Sequence, residues 1–301
     1  MKAYRLFVMA AAYFLAACSS SGSEDNSPVN PETPATKLPI KLNTRLSRVS
    51  DASFDSGDHI GLYVVNYANG TTGTLKNTGN HVNNMRFTYT ASSVWEADTP
   101  VYWADNETHA DFYAYHPYTG SISHVNQLSF SVKTSQAAEA DYKGSDFVYG
   151  KTANVAPTEN AVNIMASHLM SNMLITVKPG NGFTSEALAA ADIQVAVNGV
   201  KTAATIDLAT GAVTASGGAK TCTPWLSDGT YKLLVVPQTV ASTQLITVTI
   251  DGKPYNLTKE FTFEQGKVYS FPVVVTRTNS GINVGVNPWE ADGEDHGGLA
   301  E

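Results

Sequence analysis

His59-Ile60-Gly61-Leu62-Tyr63-Val64-Val65 is a short, almost unbroken apolar run, the mark of a buried strand rather than of a helix. Outward from it the chain keeps the same grammar. Upstream, Ile40 and Leu42 alternate with Lys41 and Asn43. Downstream, Met85, Phe87 and Tyr89 alternate with Arg86, Thr88 and Thr90. Residues 110–116 (ADFYAYH) are rich in aromatics and stop at Pro117, and Leu128, Phe130 and Val132 alternate with Ser129, Ser131 and Lys133. Runs at 172–177, 193–197, 231–236, 245–250, 268–275 and 282–286 continue the series. Period two with β-branched and aromatic enrichment predicts strands, and their close spacing predicts β-sandwiches rather than α/β units. Asn69-Gly70, Asn198-Gly199 and Asp251-Gly252 predict turns, the last two hairpins. Helix is expected only at 184–191 (TSEALAAA), one or two turns long, with Ser185 as the cap.

The first residues carry a separate message. Lys2 and Arg5 precede an apolar run from Leu6 to Ala17, too short to span a hydrocarbon core about 30 Å thick. This predicts a secretory signal peptide over 1–18, and Leu15-Ala16-Ala17-Cys18 has the form of a bacterial lipobox. Cys18 is then the lipidated residue, its thiol carrying a diacylglyceryl group as a thioether. Each buried CH₂ contributes about 0.8 kcal/mol and two or more chains anchor stably, so the precursor would be held on a membrane. Residues 19–36 (SSSGSEDNSPVNPETPAT) have too little apolar surface to fold and read as a flexible tether. The remaining chain divides near 165–172 into two blocks, 37–165 and 166–289, each long enough for a seven-stranded sandwich, followed by an acidic tail over 290–301.

Composition narrows the functional classes. Net charge is −8, and no basic patch is available to neutralise phosphates, so no nucleic-acid partner is expected. Beyond Cys18 the only cysteine is Cys222, which rules out a disulfide framework within the folded region. Charged residues make up 15% and aromatics 10%, a balance that suits an extracellular β protein stabilised by its core.

Little in the chain points to chemistry. There is no G-x-S-x-G, H-E-x-x-H or C-x-x-C, and no histidine has a helical i, i+4 partner, so neither an enzyme nor a metal or other cofactor is expected. Residues 144–152 (GSDFVYGKT) imitate a phosphate-binding loop, but five residues rather than four separate the glycines and no helix pattern follows. The tail at 290–301 lacks the ligand spacing of a calcium loop. Trp95, Trp103 and Trp225 are candidates either for stacking on a sugar or for core packing.

Several stretches, taken in order, carry a family resemblance: 54–64 (FDSGDHIGLYV), Tyr102-Trp103, 111–117 (DFYAYHP), 145–147 (SDF), 166–171 (ASHLMS), 236–238 (VPQ), 263–269 (FEQGKVY) and Pro288-Trp289. Together with the lipobox, this order resembles the fimbrillin-like proteins of Bacteroidetes, subunits of type V pili. The resemblance implies two transthyretin-like Greek-key β-sandwich domains in tandem. It implies export as a lipoprotein to the cell outer membrane and trimming by an arginine-specific protease. It also implies donor-strand exchange, in which the first strand is removed and its groove is filled by the C-terminal segment of a neighbouring fimbrial subunit.

The residues permit that route. Lys37 to Asn43 reads as an amphipathic strand followed by Arg45 and Arg48 in a polar loop, the two candidate cleavage points. Ile282, Val284 and Val286 alternate on one face as candidate donor plugs, with 273–276 as an extension. The function expected is therefore a stalk or tip subunit of a surface fimbria, serving adhesion or biofilm formation. The alternative is a non-polymerising surface lipoprotein that binds glycan or host protein.

Overall fold

The computed structural model describes residues 37–46, 54–278 and, as a strand backbone, 281–286. The chain is all-β, as its patterning predicts. In order, the first half supplies β1 (Leu42–Leu46), β2 (His59–Asn66), β3 (Val82–Tyr89), β4 (Trp95–Ala97), β5 (Ala110–His116), β6 (Leu128–Ser131), the short helix α1 (Glu139–Lys143), β7 (Val148–Val155) and β8 (Val162–His168). All of these strands except β6 form one seven-stranded sheet, in the order β1-β8-β7-β5-β2-β3-β4.

The expected boundary at 165/166 falls inside β8, and the chain changes sheets a few residues later. Then follow β9 (Ser171–Pro179), α2 (Ser185–Ala190), β10 (Ile193–Asp207), β11 (Ala212–Cys222), β12 (Trp225–Ser227), β13 (Thr230–Val235), β14 (Gln238–Ile250), β15 (Lys253–Phe263), β16 (Val268–Thr278) and β17 (Gly281–Val286). They build a sheet β11-β10-β14-β15 and a sheet β12-β13-β9-β16-β17. β10 holds β14 along its first part (193–197) and β6 along its last (203–206), so a strand from the first half completes a sheet of the second.

The unbroken apolar runs have a direct cause. β2 and β5 are central and covered on both faces, which removes the need for polar residues at alternate positions. Ile60, Leu62, Val64, Phe112 and Ala114 face a core drawn entirely from residues of the first half. Tyr63, Val65, Tyr113 and Tyr115 face a second core, shared with Ile206, Leu234 and Val236 from the second half. A third core lies between the two five-stranded sheets, where Met173, Ile175, Val273 and Val275 meet Val195, Val197, Val248 and Ile250.

Asp251-Gly252 forms the expected hairpin turn between β14 and β15, with φ of 48° and 77° and Ile250 facing Lys253. Asn198-Gly199 does not reverse the chain. Both residues lie inside β10, where the pairing with β11 slips between Val197 and Val200, and Gly199 takes φ 75°. The left-handed preference of the dipeptide is used to seat a bulge, and the Asn198 amide bonds Gln244 O and Thr247 Oγ1 across the ladder. The cap of α2 is Thr184, whose hydroxyl accepts from Ala187 N at 3.1 Å, with Ser185 as the first helical residue.

Gly150 marks a close approach between neighbouring strands of the first sheet. It pairs with Ala166, and a Cβ there would lie 2.7 Å from Ile164 Cγ2 and 2.8 Å from Met165 O. Gly150→Ala is therefore expected to destabilise the protein by about 1–3 kcal/mol, read as a lower urea midpoint with the slope unchanged.

Candidate assembly site

The first described segment alternates without a break. Ile40, Leu42 and Thr44 are buried, Leu38 and Leu46 are half-buried, and Lys37, Pro39, Lys41 and Arg45 are exposed. The inward residues Ile40 and Leu42 keep only 5% of their surface and sit in the first-sheet core with Trp103, Phe112 and Ile164. The segment is pinned in two places. Ile40 N donates to Val101 O and Trp103 N to Leu38 O, each at 2.9 Å. From there the chain crosses to β8, where Val162 N donates to Lys41 O at 2.8 Å and Leu42 to Leu46 run parallel to Val162–Ala166.

Two details differ from expectation. The strand begins and ends later than the hydropathy pattern implies, because β8 offers a partner as far as Ala166. Arg45 consequently lies within β1, opposite Met165, rather than in a loop beyond it. Arg48, Cys18, the tether and the tail lie outside the described residues.

Among the described residues, β1 has a strand neighbour in its sheet on one side only, so it is an edge strand. The last strand is also an edge. Among the described residues β17, which contains Ile282, Val284 and Val286, pairs only with β16, with Val284 opposite Val275 and Val286 opposite Val273. Residues 273–276, the candidate extension of the donor, belong to β16, held between β9 and β17, and Val273 and Val275 are fully buried.

β8 is the element that pattern reading missed, although its residues alternate buried and exposed throughout, with Val162, Ile164, Ala166 and His168 inward. Met165, 62% exposed on the outward face, made the sequence VNIMASH look irregular.

Where β1 ends, Leu46 and Phe54 help line a cleft of about 310 Å³ at the meeting of the first and third sheets, together with Asp146, Val148, His168 and Met170. His168 Nδ1 is hydrogen-bonded to Asp146 Oδ2. Burial pushes the His168 pKa down, but the bond and the charge of Asp146 outweigh it and hold the imidazole above its ordinary value. A raised folded-state pKa gives stabilisation that is complete below the unfolded value, about 6.5, and lost as pH rises through the folded value. The thermal midpoint is expected to fall as pH rises above about 6.5, and Asp146→Asn is expected to flatten that slope.

The remaining candidates resolve as structure. Trp95 and Trp103 are buried in the first-sheet core, which removes them as sugar-stacking platforms. Trp225 packs at 5.4 Å on Tyr142, with the Lys232 ammonium over its ring. Gly150, Lys151 and Thr152 of the loop-like motif lie in β7, a strand. Cys222 is buried in the third core, which pushes its thiol up to about 11 and leaves it unreactive.

This architecture recurs in proteins of a recognisable class. Crystal structures of candidate cell adhesion proteins share it. One, from Bacteroides uniformis, has a TM-score of 0.61 and 21% identity, covering 83% of this chain and 96% of that one. Another, from Bacteroides ovatus, has a TM-score of 0.64 and 18% identity, covering 84% and 96%. At those identities the likeness establishes the fold.

The chain belongs to the fimbrillin-like family, whose sequence profile matches residues 47–289. A Bacteroides uniformis protein described as a candidate fimbrium subunit, Fim1C, is 24% identical over 295 residues, covering 93% of this chain and 92% of its own length.

Proposed function

We propose that this chain is a structural, non-enzymatic subunit of a cell-surface fimbria that associates with other fimbrial subunits by exchanging its first strand. The observation that carries this reading is the first segment itself. It is an edge strand at the amino end, regular in its alternation, and its inward side chains complete a core that the rest of the sheet leaves open. Membership of the fimbrillin-like family and the likeness to a candidate fimbrium subunit support the same reading. In this scheme the precursor is an outer-membrane lipoprotein anchored through Cys18, and its folded region comprises two sandwiches joined near residue 166.

Removal of residues up to an arginine would uncover Trp103, Phe112 and Ile164 and leave the β8 edge unpaired. Refilling the Ile40 and Leu42 sites is worth roughly 1.5–3 kcal/mol each, and a donated strand also restores the ladder. Arg45 is engaged in that ladder, so a protease that needs an extended chain reaches it only after β1 opens. Arg48 is two residues beyond the strand end and is the preferred cut, since it removes β1 entire. Ile282, Val284 and Val286 are the proposed plugs, on a strand bonded to one neighbour among the described residues.

The natural occupant is not an ideal one. Thr44 Oγ1 is buried with no partner among the described residues, which costs about 1–3 kcal/mol. An incoming strand with an aliphatic side chain at that place avoids this cost, which favours exchange.

Treatment of the purified full chain with an arginine-specific protease is expected to give one clipped core with its new N-terminus at Val49 or Leu46, and ladders that resist SDS. Arg48→Ala together with Arg45→Ala should abolish both, and Val284→Asp should leave clipped monomers. A clipped core that stays monomeric with residues 37–46 still bound overturns the scheme. Thr44→Val is expected to stabilise the precursor by about 1–3 kcal/mol, seen in urea unfolding, and to slow ladder formation by strengthening the strand that must leave.

A further inference from the structure

The end of the first sheet away from the cleft carries a second depression. His116 and Val148 mark the cleft end, and the opposite ends of the same strands gather the β2–β3 loop, the β4–β5 loop and the last residues of β7. Between them lies a hollow of about 370 Å³ lined by Tyr67, Asn69, Gly70, Glu107, His109 and Asn154, with Thr108 at its margin.

What distinguishes this hollow from an ordinary loop surface is that almost every wall is fixed from beneath. Asp111, only 2% exposed, is the pin. Its carboxylate accepts from the Tyr67 hydroxyl at 2.9 Å, from Thr72 Oγ1 at 3.2 Å and from Asn154 N at 2.8 Å, tying the β2–β3 loop and the end of β7 to β5. Burial raises the Asp111 pKa, but these bonds and the nearby Lys151 outweigh it, so the carboxylate stays charged and keeps its grip. The β4–β5 loop is tied by Tyr67 N donating to His109 O at 2.8 Å.

The wall groups are set individually. Tyr67 and His109 hold their rings 6.4 Å apart at 57°, and His109 Nδ1 is bonded to Asn154 Oδ1 at 2.8 Å. Asn69 and Gly70 occupy a tight turn closed by reciprocal bonds between Ala68 and Thr71, with φ of 50° and 74°, which leaves the Asn69 amide exposed. Asp105 accepts from Glu107 N and Thr108 N and fixes the backbone of the opposite wall.

The chemistry of that lining selects a ligand class. An amide offers a donor and an acceptor side by side, and a carboxylate offers two acceptors, which together match adjacent hydroxyls. The aromatic faces suit the C–H face of a sugar ring. No lysine or arginine is among the described lining residues, so nothing compensates an anion. Hydroxyl groups exchange hydrogen bonds with water for hydrogen bonds with protein at little net gain, so a sugar site depends on walls that need no ordering when the ligand arrives. The Asp111 pin supplies this rigidity, on loops mounted over a sheet, a usual place for binding groups.

We infer that this depression is a binding site for an uncharged oligosaccharide, with Asn69 and Glu107 as hydroxyl-binding residues and Tyr67 and His109 as the stacking walls. The site is built within one copy of the chain and does not depend on strand exchange, so it stands or falls separately from the assembly scheme.

The test is binding of the full chain, before any protease treatment, to an array of neutral hexose and N-acetylhexosamine oligosaccharides, with sialylated and sulfated oligosaccharides on the same array. Retention of neutral oligosaccharides is expected. Titration with the strongest neutral hit should show at least a ten-fold loss of affinity in Asn69→Gly, which keeps the left-handed turn but removes the amide, and in Glu107→Ala. Both positions are exposed, so the melting curve should be unchanged. Retention of only charged glycans, retention of none, or neutral binding that survives both substitutions would each overturn the assignment.

Discussion

An apolar core at the edge of a sheet has to be closed by something, and in this protein it is closed by a strand that the sheet holds along one side. The residues around Phe112 and Trp103 cannot seal themselves, because β8 ends the sheet with its outer ladder open. Leu38 to Leu46 supplies both missing components. Ile40 and Leu42 enter the core, and the backbone of β1 pairs with β8. The segment is thus covalently peripheral and energetically central, an uncommon combination in a globular domain. Chain ends usually fray at little cost, whereas here loss of the end uncovers a core.

The second half does not face the same difficulty. Its main core is enclosed between two five-stranded sheets, and the long β10 reaches past that core to take β6 from the first half as a partner. Tyr63 and Tyr115 on one side and Ile206 and Leu234 on the other share one apolar layer. The two halves are therefore fastened through hydrogen bonds as well as through packing. The cleft with the His168–Asp146 pair lies beside this fastening, at the point where the chain turns from β8 into β9.

Much of this could be read in the residues. Central strands announce themselves, since burial on both faces leaves runs such as 59–65 and 110–116 with almost no polar interruption, and β5 matched its expected limits. Edge and surface strands were harder. β11 carries mostly small and polar side chains over 212–222, because it is exposed along nearly all its length and packs little, so nothing apolar marks its period. β8 was obscured by the outward Met165. The glycine signals were ambiguous about purpose: a left-handed pair reverses the chain at 251–252, whereas at 198–199 Gly199 alone is left-handed and the strand only bulges. The first segment was legible as a strand and as an edge, but the place of Arg45 within it was not, since a strand ends where its partner ends and the partner was the strand overlooked. The hollow at the far end of the first sheet had no signal in the sequence at all. Its residues are separated by up to 87 positions, from Tyr67 to Asn154 (154 − 67), and only the pairing of β2, β5 and β7 assembles them.

The parallel pairing of β9 with β16 has a mechanical meaning. The chain enters β9 at Ser171 and leaves β16 at Thr278, and the two strands run side by side in the same direction with eight registered pairs, from Val268–Asn172 to Val275–Pro179. Tension applied through those two points pulls the strands past each other along their length. The load falls on all the hydrogen bonds of the ladder together instead of opening them one by one from an end. A ladder loaded in this way resists stretching along that axis better than one whose bonds open singly, a useful property for anything exposed to flowing liquid.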